Sequence, residues 1–219
     1  MTTPYLRCMT DSLITAEKLL QADAVRLRPQ EPFTWASGWK SPIYCDNRKI
    51  LSQPFLRDYI KSELCNVVFE LYSDAEVISG VATAGIPWGA MVADQLKLPF
   101  IYVRPRPKEH GMGNQIEGSY NKGQKTVVIE DLISTGKSSL QVVEVLRNAG
   151  MEVTGMVSIF NYQFDVALKA FQDADVTFHS LTNFPSLLTL AERKGLIRPE
   201  EEEVLLKWRT DPANWAGVV

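Results

Sequence analysis

The residues of this chain with the most chemistry in them are two adjacent carboxylates followed by a hydroxyl-rich turn. Thr126–Ser139 reads TVVIEDLISTGKSS. The spacing predicts a strand that ends at Glu130 and Asp131, then a turn through Ser134, Thr135, Gly136, Lys137 and Ser138 into a helix. A turn that enters a helix N-terminus offers unpaired backbone N–H groups and the positive end of the helix dipole. Gly136 lets the backbone approach an anion closely, and the Ser134, Thr135 and Ser138 hydroxyls add donors. These features predict a cradle for one phosphate group. Carboxylates repel phosphate, so Glu130 and Asp131 call for a ligand that also presents hydroxyls or a divalent metal. A sugar phosphate carrying a metal satisfies both needs. Gly136-Lys137-Ser138 is similar to the end of a G-x-x-x-x-G-K-S loop. That motif needs glycine at position 131, where Asp131 stands, so a nucleotide-triphosphatase reading is set aside.

Three other segments carry signals. Gly80–Pro87 (GVATAGIP) runs from a strand into a helix through small residues, and backbone amides around Thr83 and Ala84 could line a pyrophosphate. Arg104–Gly113 (RPRPKEHGMG) leaves a strand with Arg104, Arg106, Lys108 and His110. Roughly 20 residues without evident helix inside a compact domain read as a functional lid, here one charged to meet an anionic ligand. Phe33–Asp46 (FTWASGWKSPIYCD) is rich in aromatic and turn residues, which suits stacking on a planar ring.

These segments need a scaffold, and the periodicities supply one. Helices are expected over Asp11–Gln21, Pro54–Tyr72, Pro87–Leu96, Ser138–Asn148, Val166–Phe171, Leu187–Gly195 and Pro199–Trp208. Strands are expected over Val25–Leu27, Glu76–Val81, Phe100–Val103, Lys125–Glu130, Glu152–Phe160 and Val176–Ser180. Alternation of strand and helix at this spacing predicts an α/β fold whose mainly parallel sheet is flanked by helices. One domain over 1–219 is expected: a hood and N-terminal helix to about 50, an α/β core over 51–180, and C-terminal helices over 181–219.

Composition limits the alternatives. A net charge of −3 and a pI near 5.5 give no broad basic surface, so nucleic acid is not an expected partner. Cys8, Cys45 and Cys65 are odd in number and lack metal-ligand spacing, which fits a reduced, intracellular protein. No apolar run approaches the ~20 residues of a membrane span, and the N-terminus lacks a signal-peptide apolar core. A cytoplasmic location is expected.

The motifs converge on one family. Thr126–Ser139 resembles the phosphoribosyl pyrophosphate (PRPP) motif of the type I phosphoribosyltransferases, and Gly80–Pro87 resembles their pyrophosphate loop. Arg104-x-x-x-Lys108-x-His110-Gly111, followed by Glu117-Gly118, is similar to the lid of the orotate branch. Phe33–Asp46 is similar to that branch's F-T-x-x-S-G-x-x-S-P-x-Y signature, part of a hood over the base. The resemblance implies that Glu130 and Asp131 face the ribose hydroxyls. It puts Ser134, Thr135, Gly136, Lys137 and Ser138 at the 5′-phosphate, with Leu132 and Ile133 also among the PRPP-binding residues. It puts Thr83, Ala84, Arg104, Lys108 and His110 at the pyrophosphate.

The same resemblance implies transfer of the phosphoribosyl group to orotate, with Arg104, Lys108, His110 and Asp131 as the catalytic set. Ser134 is expected at the base, with Lys40 or backbone amides near Tyr44 as candidates to meet the orotate carboxylate. Mg²⁺ is implied as the cofactor, brought by PRPP with no direct protein ligand and met by Asp131 at most through water. A homodimer with the lid shared across its interface is implied as well. The chain departs from the family at four points: Ala36 and Pro105 stand where some members have lysines, no arginine lies near Tyr162, and Glu130 stands where aspartate is also common. Two other readings stay open at this level, a transferase for another base and a PRPP-sensing regulator.

Overall fold

Apolar runs bounded by polar turns become the strands of one central sheet. The computed structural model describes residues 11–35, 37–106 and 114–217. In chain order it begins with α1 (Ser12–Gln21), β1 (Val25–Leu27), β2 (Phe33–Thr34), β3 (Lys40–Ser41) and β4 (Ile43–Cys45), then a short 3-10 helix over Asn47–Ser52. The core follows as α2 (Pro54–Leu71), β5 (Val77–Val81), α3 (Gly85–Leu96), β6 (Phe100–Val103), β7 (Ile116–Glu117), β8 (Lys125–Ile133), α4 (Lys137–Asn148), β9 (Glu152–Asn161), α5 (Asp165–Asp173) and β10 (Phe178–Asn183). The helices α6 (Phe184–Arg193) and α7 (Pro199–Thr210) close the chain.

The six-stranded sheet has the order β10-β9-β8-β5-β6-β7. Every pairing in it is parallel except the short β6–β7 one. This is the mainly parallel, helix-flanked α/β arrangement expected from the alternation of elements. β5 and the centre of β8 are buried throughout, as both faces of such a sheet must be. The hood stands apart from the sheet as two small antiparallel pairs, β1–β4 and β2–β3.

Several boundaries differ from the sequence reading, each for a local reason. α1 starts at Ser12 because Asp11 is its cap, its carboxylate accepting from Leu13 N at 2.9 Å. α3 starts at Gly85, two residues before Pro87. A side chain at Gly85 would press on the Ile129 backbone carbonyl, so glycine lets α3 enter directly over β8. β10 begins at Phe178 and runs to Asn183, in parallel register with Met156–Asn161 of β9. β7 lay hidden in the polar stretch after Arg104, since a two-residue strand has no period to read. The most consequential difference is β8, which continues to Ile133, so Glu130 and Asp131 lie on the strand rather than at its end.

Candidate active site

β8 outruns its neighbour. Its last pairing with β5 is Gly80–Ile129, while its pairing with β9 continues to Ile133–Asn161. The acid pair therefore stands on a projecting strand end with one sheet partner, beyond the carboxyl end of β5, where open α/β sheets bind their ligands.

Glu130 is 4% exposed, and its two oxygens accept from Ser139 Oγ at 3.0 Å and from the Asp131 backbone N–H at 2.9 Å. Burial first, and the neighbouring Asp131 charge second, push its carboxyl well above the ordinary range. Asp131 is also raised by burial, with the Arg48 guanidinium acting against the rise. The larger rise falls on Glu130, which leaves Asp131 the more acidic of the two.

The turn after β8 brings Ser134 to Ser138 to the start of α4. Gly136 has φ +77°, and a side chain there would collide with the Phe171 ring. Glycine is required twice over, for the left-handed backbone and for the space that α5 occupies. Lys137 and Ser138 are exposed at the first turn of α4 and Ser139 is buried beneath them, so the free amides and hydroxyls face outward as an anion cradle would need. Thr135 and Lys137 also border an outer groove of about 940 Å³ between α4 and α5. Ala82 and Thr83 are joined by a cis peptide, and Thr83 is exposed in the loop that precedes α3.

Beside the acids lies a cavity of about 390 Å³ walled by Thr34, Trp35, Tyr44, Cys45, Leu132, Ser134 and Tyr162. Tyr162 stacks on Phe164 with ring centroids 5.2 Å apart and meets Trp35 at 5.2 Å. Trp208 of α7 closes on both Trp35 and Tyr162 at 5.7 Å, and its Nε1 donates to the Lys40 carbonyl at 3.1 Å. The hood hairpin is thereby bolted to the C-terminal helix. Ser134 and Leu132 belong both to the phosphate-bearing strand–turn and to this cavity, so a ligand spanning phosphate, sugar and ring has a continuous seat.

Of the side chains the sequence assigned to the base, Ser134 and Tyr44 line the cavity. Lys40 is not part of the wall, but its ammonium donates at 2.9 Å to Oγ1 of Thr34, which is. The lid base is cinched where it leaves the sheet. Arg104 N donates to Gln115 O at 2.9 Å, Gln115 Nε2 donates to Arg104 O at 2.8 Å, and the Arg104 guanidinium pairs with Glu117 at 3.5 Å. Arg104 also shares a small cleft of about 40 Å³ with Ser138 of α4, next to the phosphate turn. Lys108 and His110 lie outside the described residues.

Sequence reasoning passed over Ser139, Asn47 and the part of the aromatic wall that Tyr162 and Trp208 build. Ser139 had a usable signal, a small polar residue one turn into the helix after the acid pair. Asn47 had none, since its partner is 84 residues away.

Comparison with known proteins agrees with this geometry. The model of the phosphoribosyl transferase domain matches residues 61–179, more than half of the chain, and the chain belongs to that family. Within it, the chain is a member of the orotate phosphoribosyltransferases. It is 54% identical to an orotate phosphoribosyltransferase of Phocaeicola vulgatus over 91% of this chain and 94% of that one. Among solved structures it is similar to orotate phosphoribosyltransferase from Aeropyrum pernix, at 32% identity and TM-score 0.72, over 84% of this chain and 99% of that one. It is also similar to the UMP synthase of Leishmania donovani, at 28% identity and TM-score 0.75. That match covers 91% of this chain and 42% of that longer one.

Proposed function

We propose that the protein transfers the phosphoribosyl group of PRPP to orotate, giving orotidine 5′-monophosphate and pyrophosphate, the sugar-attaching step of pyrimidine synthesis. The bond from ribose C1 to the pyrophosphate oxygen breaks, a bond from C1 to a ring nitrogen of orotate forms, and the proton of that nitrogen is released, with the departing pyrophosphate able to accept it. The observation that carries this reading is the single seat formed by the acid pair, the phosphate turn and the aromatic cavity, joined through Leu132 and Ser134. The orotate relatives at about half identity support the choice of base.

Asp131 would accept from the ribose hydroxyls, with Glu130 beneath it holding the strand in shape. The amides and hydroxyls of Ser134–Ser138 would take the 5′-phosphate, and the loop at Thr83 and Ala84 would take the pyrophosphate. Arg104, Lys108 and His110 would bring positive charge to the leaving group as the lid closes. Little covalent chemistry falls to the protein, so positioning and charge complementarity supply most of the rate. Closure also keeps water from the cationic sugar centre.

Magnesium fits this site as a companion of the substrate. Glu130 is already engaged by two donors, and among the described residues no group of three or more His, Cys, Asp and Glu could hold a metal ion. Mg²⁺ would arrive on PRPP and meet Asp131 at most through water, where it would neutralise pyrophosphate charge.

A homodimer with shared lids and a cytoplasmic location complete the proposal. Two features support them. Phe55 is 91% exposed on α2, beside a groove to α3 that carries both Arg57 and Lys61 and both Asp58 and Asp94, a face able to complement a copy of itself. Among the described residues no helix is long and apolar enough to cross a membrane. The test is a pyrophosphate-release assay with PRPP, Mg²⁺ and, in turn, orotate, uracil, adenine and hypoxanthine. Release with orotate alone is expected; release with another base, or with none, overturns the reading.

A further inference from the structure

Asn47 connects the base cavity to the acid pair without belonging to either. It opens the 3-10 helix directly after β4 and is 0% exposed. Its Nδ2 donates to the backbone carbonyl of Asp131 at 2.7 Å, across 84 residues of sequence. Its Oδ1 accepts from the Cys45 thiol at 3.4 Å, and Cys45 is part of the cavity wall. The amide is oriented by having its donor and acceptor ends engaged on opposite sides, so it cannot turn without losing both contacts.

The place where Asn47 grips is the part of β8 that lacks β5 as a neighbour. Beyond Ile129 the strand is registered only by β9. The direction of the Asp131 peptide, and of the carboxylate it carries, is therefore set by β9 on one side and by contacts from outside the sheet on the other. Asn47 is such a contact, and it comes from the hood. The next residue, Arg48, pairs with Asp46 through bonds of 2.6 and 3.0 Å.

We propose that Asn47 is a positioning residue. By fixing the Asp131 peptide against the wall of the base cavity it aims the acid pair at the ribose and couples the sugar seat to the hood. This inference rests on the phosphoribosyl-transfer reading. A plain structural tether would affect stability alone, whereas a positioning residue affects PRPP recognition in protein that is fully folded.

The experiment compares wild type, Asn47→Asp and Asn47→Ser in the complete enzyme. Asn47→Asp keeps the shape but turns the donor into an oxygen that faces the Asp131 carbonyl. Asn47→Ser leaves room for a water to replace the amide. Kinetics with orotate and calorimetric binding of PRPP with MgCl₂ are read beside melting temperature and circular dichroism. The expected result is a rise of about tenfold in the KM and Kd for PRPP in Asn47→Asp, the scale of one hydrogen bond lost at a buried site. Asn47→Ser should show a smaller rise. PRPP binding and KM within twofold of wild type in either folded variant overturn the proposal, whatever the melting temperature does.

If neither variant folds, hydrogen exchange on the wild-type protein decides. PRPP with MgCl₂ should slow amide exchange in residues 44–48 together with 130–138. Protection confined to 130–138 overturns the coupling. Absence of orotate turnover by wild type in the same run would defeat the orotate reading, while the PRPP-binding comparison would still judge Asn47.

Discussion

Glu130 and Asp131 are neighbours with opposite tasks, and their surroundings separate them. Glu130 has both oxygens occupied by Ser139 and the Asp131 amide, whereas a side-chain hydrogen bond from Glu130 and the Arg48 charge favour the ionised form of Asp131. Asp131→Asn is expected to keep the fold and to weaken PRPP recognition by ~1.5–3 kcal/mol, the value of a hydrogen bond to a charged group. Unchanged PRPP kinetics would remove Asp131 from the ribose. Glu130 makes a different claim. Its carboxyl is raised by burial above the ordinary value of 4.5, so above that pH the folded protein holds more of this proton than the unfolded chain does. The linked stability is complete below 4.5 and declines as pH rises from there through the raised native value. The melting temperature of the ligand-free protein should therefore fall as pH rises above about 4.5, and Glu130→Gln should flatten that fall. A wild-type curve no steeper than that of Glu130→Gln would contradict the buried proton.

Among the elements, α7 is the one whose importance is least visible in sequence. Its Trp208 is fully buried against Trp35, Tyr162, Phe164 and Phe184. Trp208→Ala should cost ~3–5 kcal/mol of stability, as large-to-small core changes do. Trp208→Phe should fold and raise the KM for orotate more than that for PRPP, because it loosens the hood hairpin and leaves the phosphate turn alone. Equal effects on both substrates would mean that α7 supports the molecule generally. The lid gives the complementary expectation. Lys108→Ala and His110→Ala should lower kcat more than they raise the KM for PRPP, since charge on the leaving group grows in the transition state. A raised KM with kcat preserved would make the lid a ground-state binding element.

What the sequence disclosed follows from the range of its signals. The βα turn at Gly136 and the acid pair were legible because their function depends on residues close in sequence. The parallel sheet was legible because strands such as Val77–Val81 are continuous apolar runs. Asn47, the Trp208 clasp and the overhang of β8 past β5 were not, because each depends on a partner more than 45 residues away that only folding brings near.

At the scale of the whole molecule the proposed dimer with shared lids has a direct test. One chain carrying Lys108→Ala and another carrying Asp131→Asn should each be nearly inactive alone. In a mixed dimer with shared lids, one site is intact and the other doubly damaged. Half of randomly formed dimers are mixed, so activity should recover to about a quarter of wild type. With subunit exchange confirmed by mass spectrometry, no recovery would show that each lid serves its own chain. Phe55→Asp places a charge on the exposed α2 face and should shift the assembly toward monomer in sedimentation without lowering the melting temperature of the subunit. An unchanged sedimentation profile would move the interface elsewhere.

The aromatic wall has one more consequence, an optical one. Trp35 borders the base cavity, stacks with Trp39 at a centroid distance of 6.3 Å and meets Trp208 edge-on at 5.7 Å. Three indoles this close share their excitation, so light absorbed by any of them can emerge from the one that touches the ligand. A planar base entering the cavity would sit against that emitter and quench it. The protein carries a built-in fluorescent gauge of base occupancy, readable without a label and removed by Trp35→Phe, while PRPP alone, held by the phosphate turn, should leave the signal nearly unchanged.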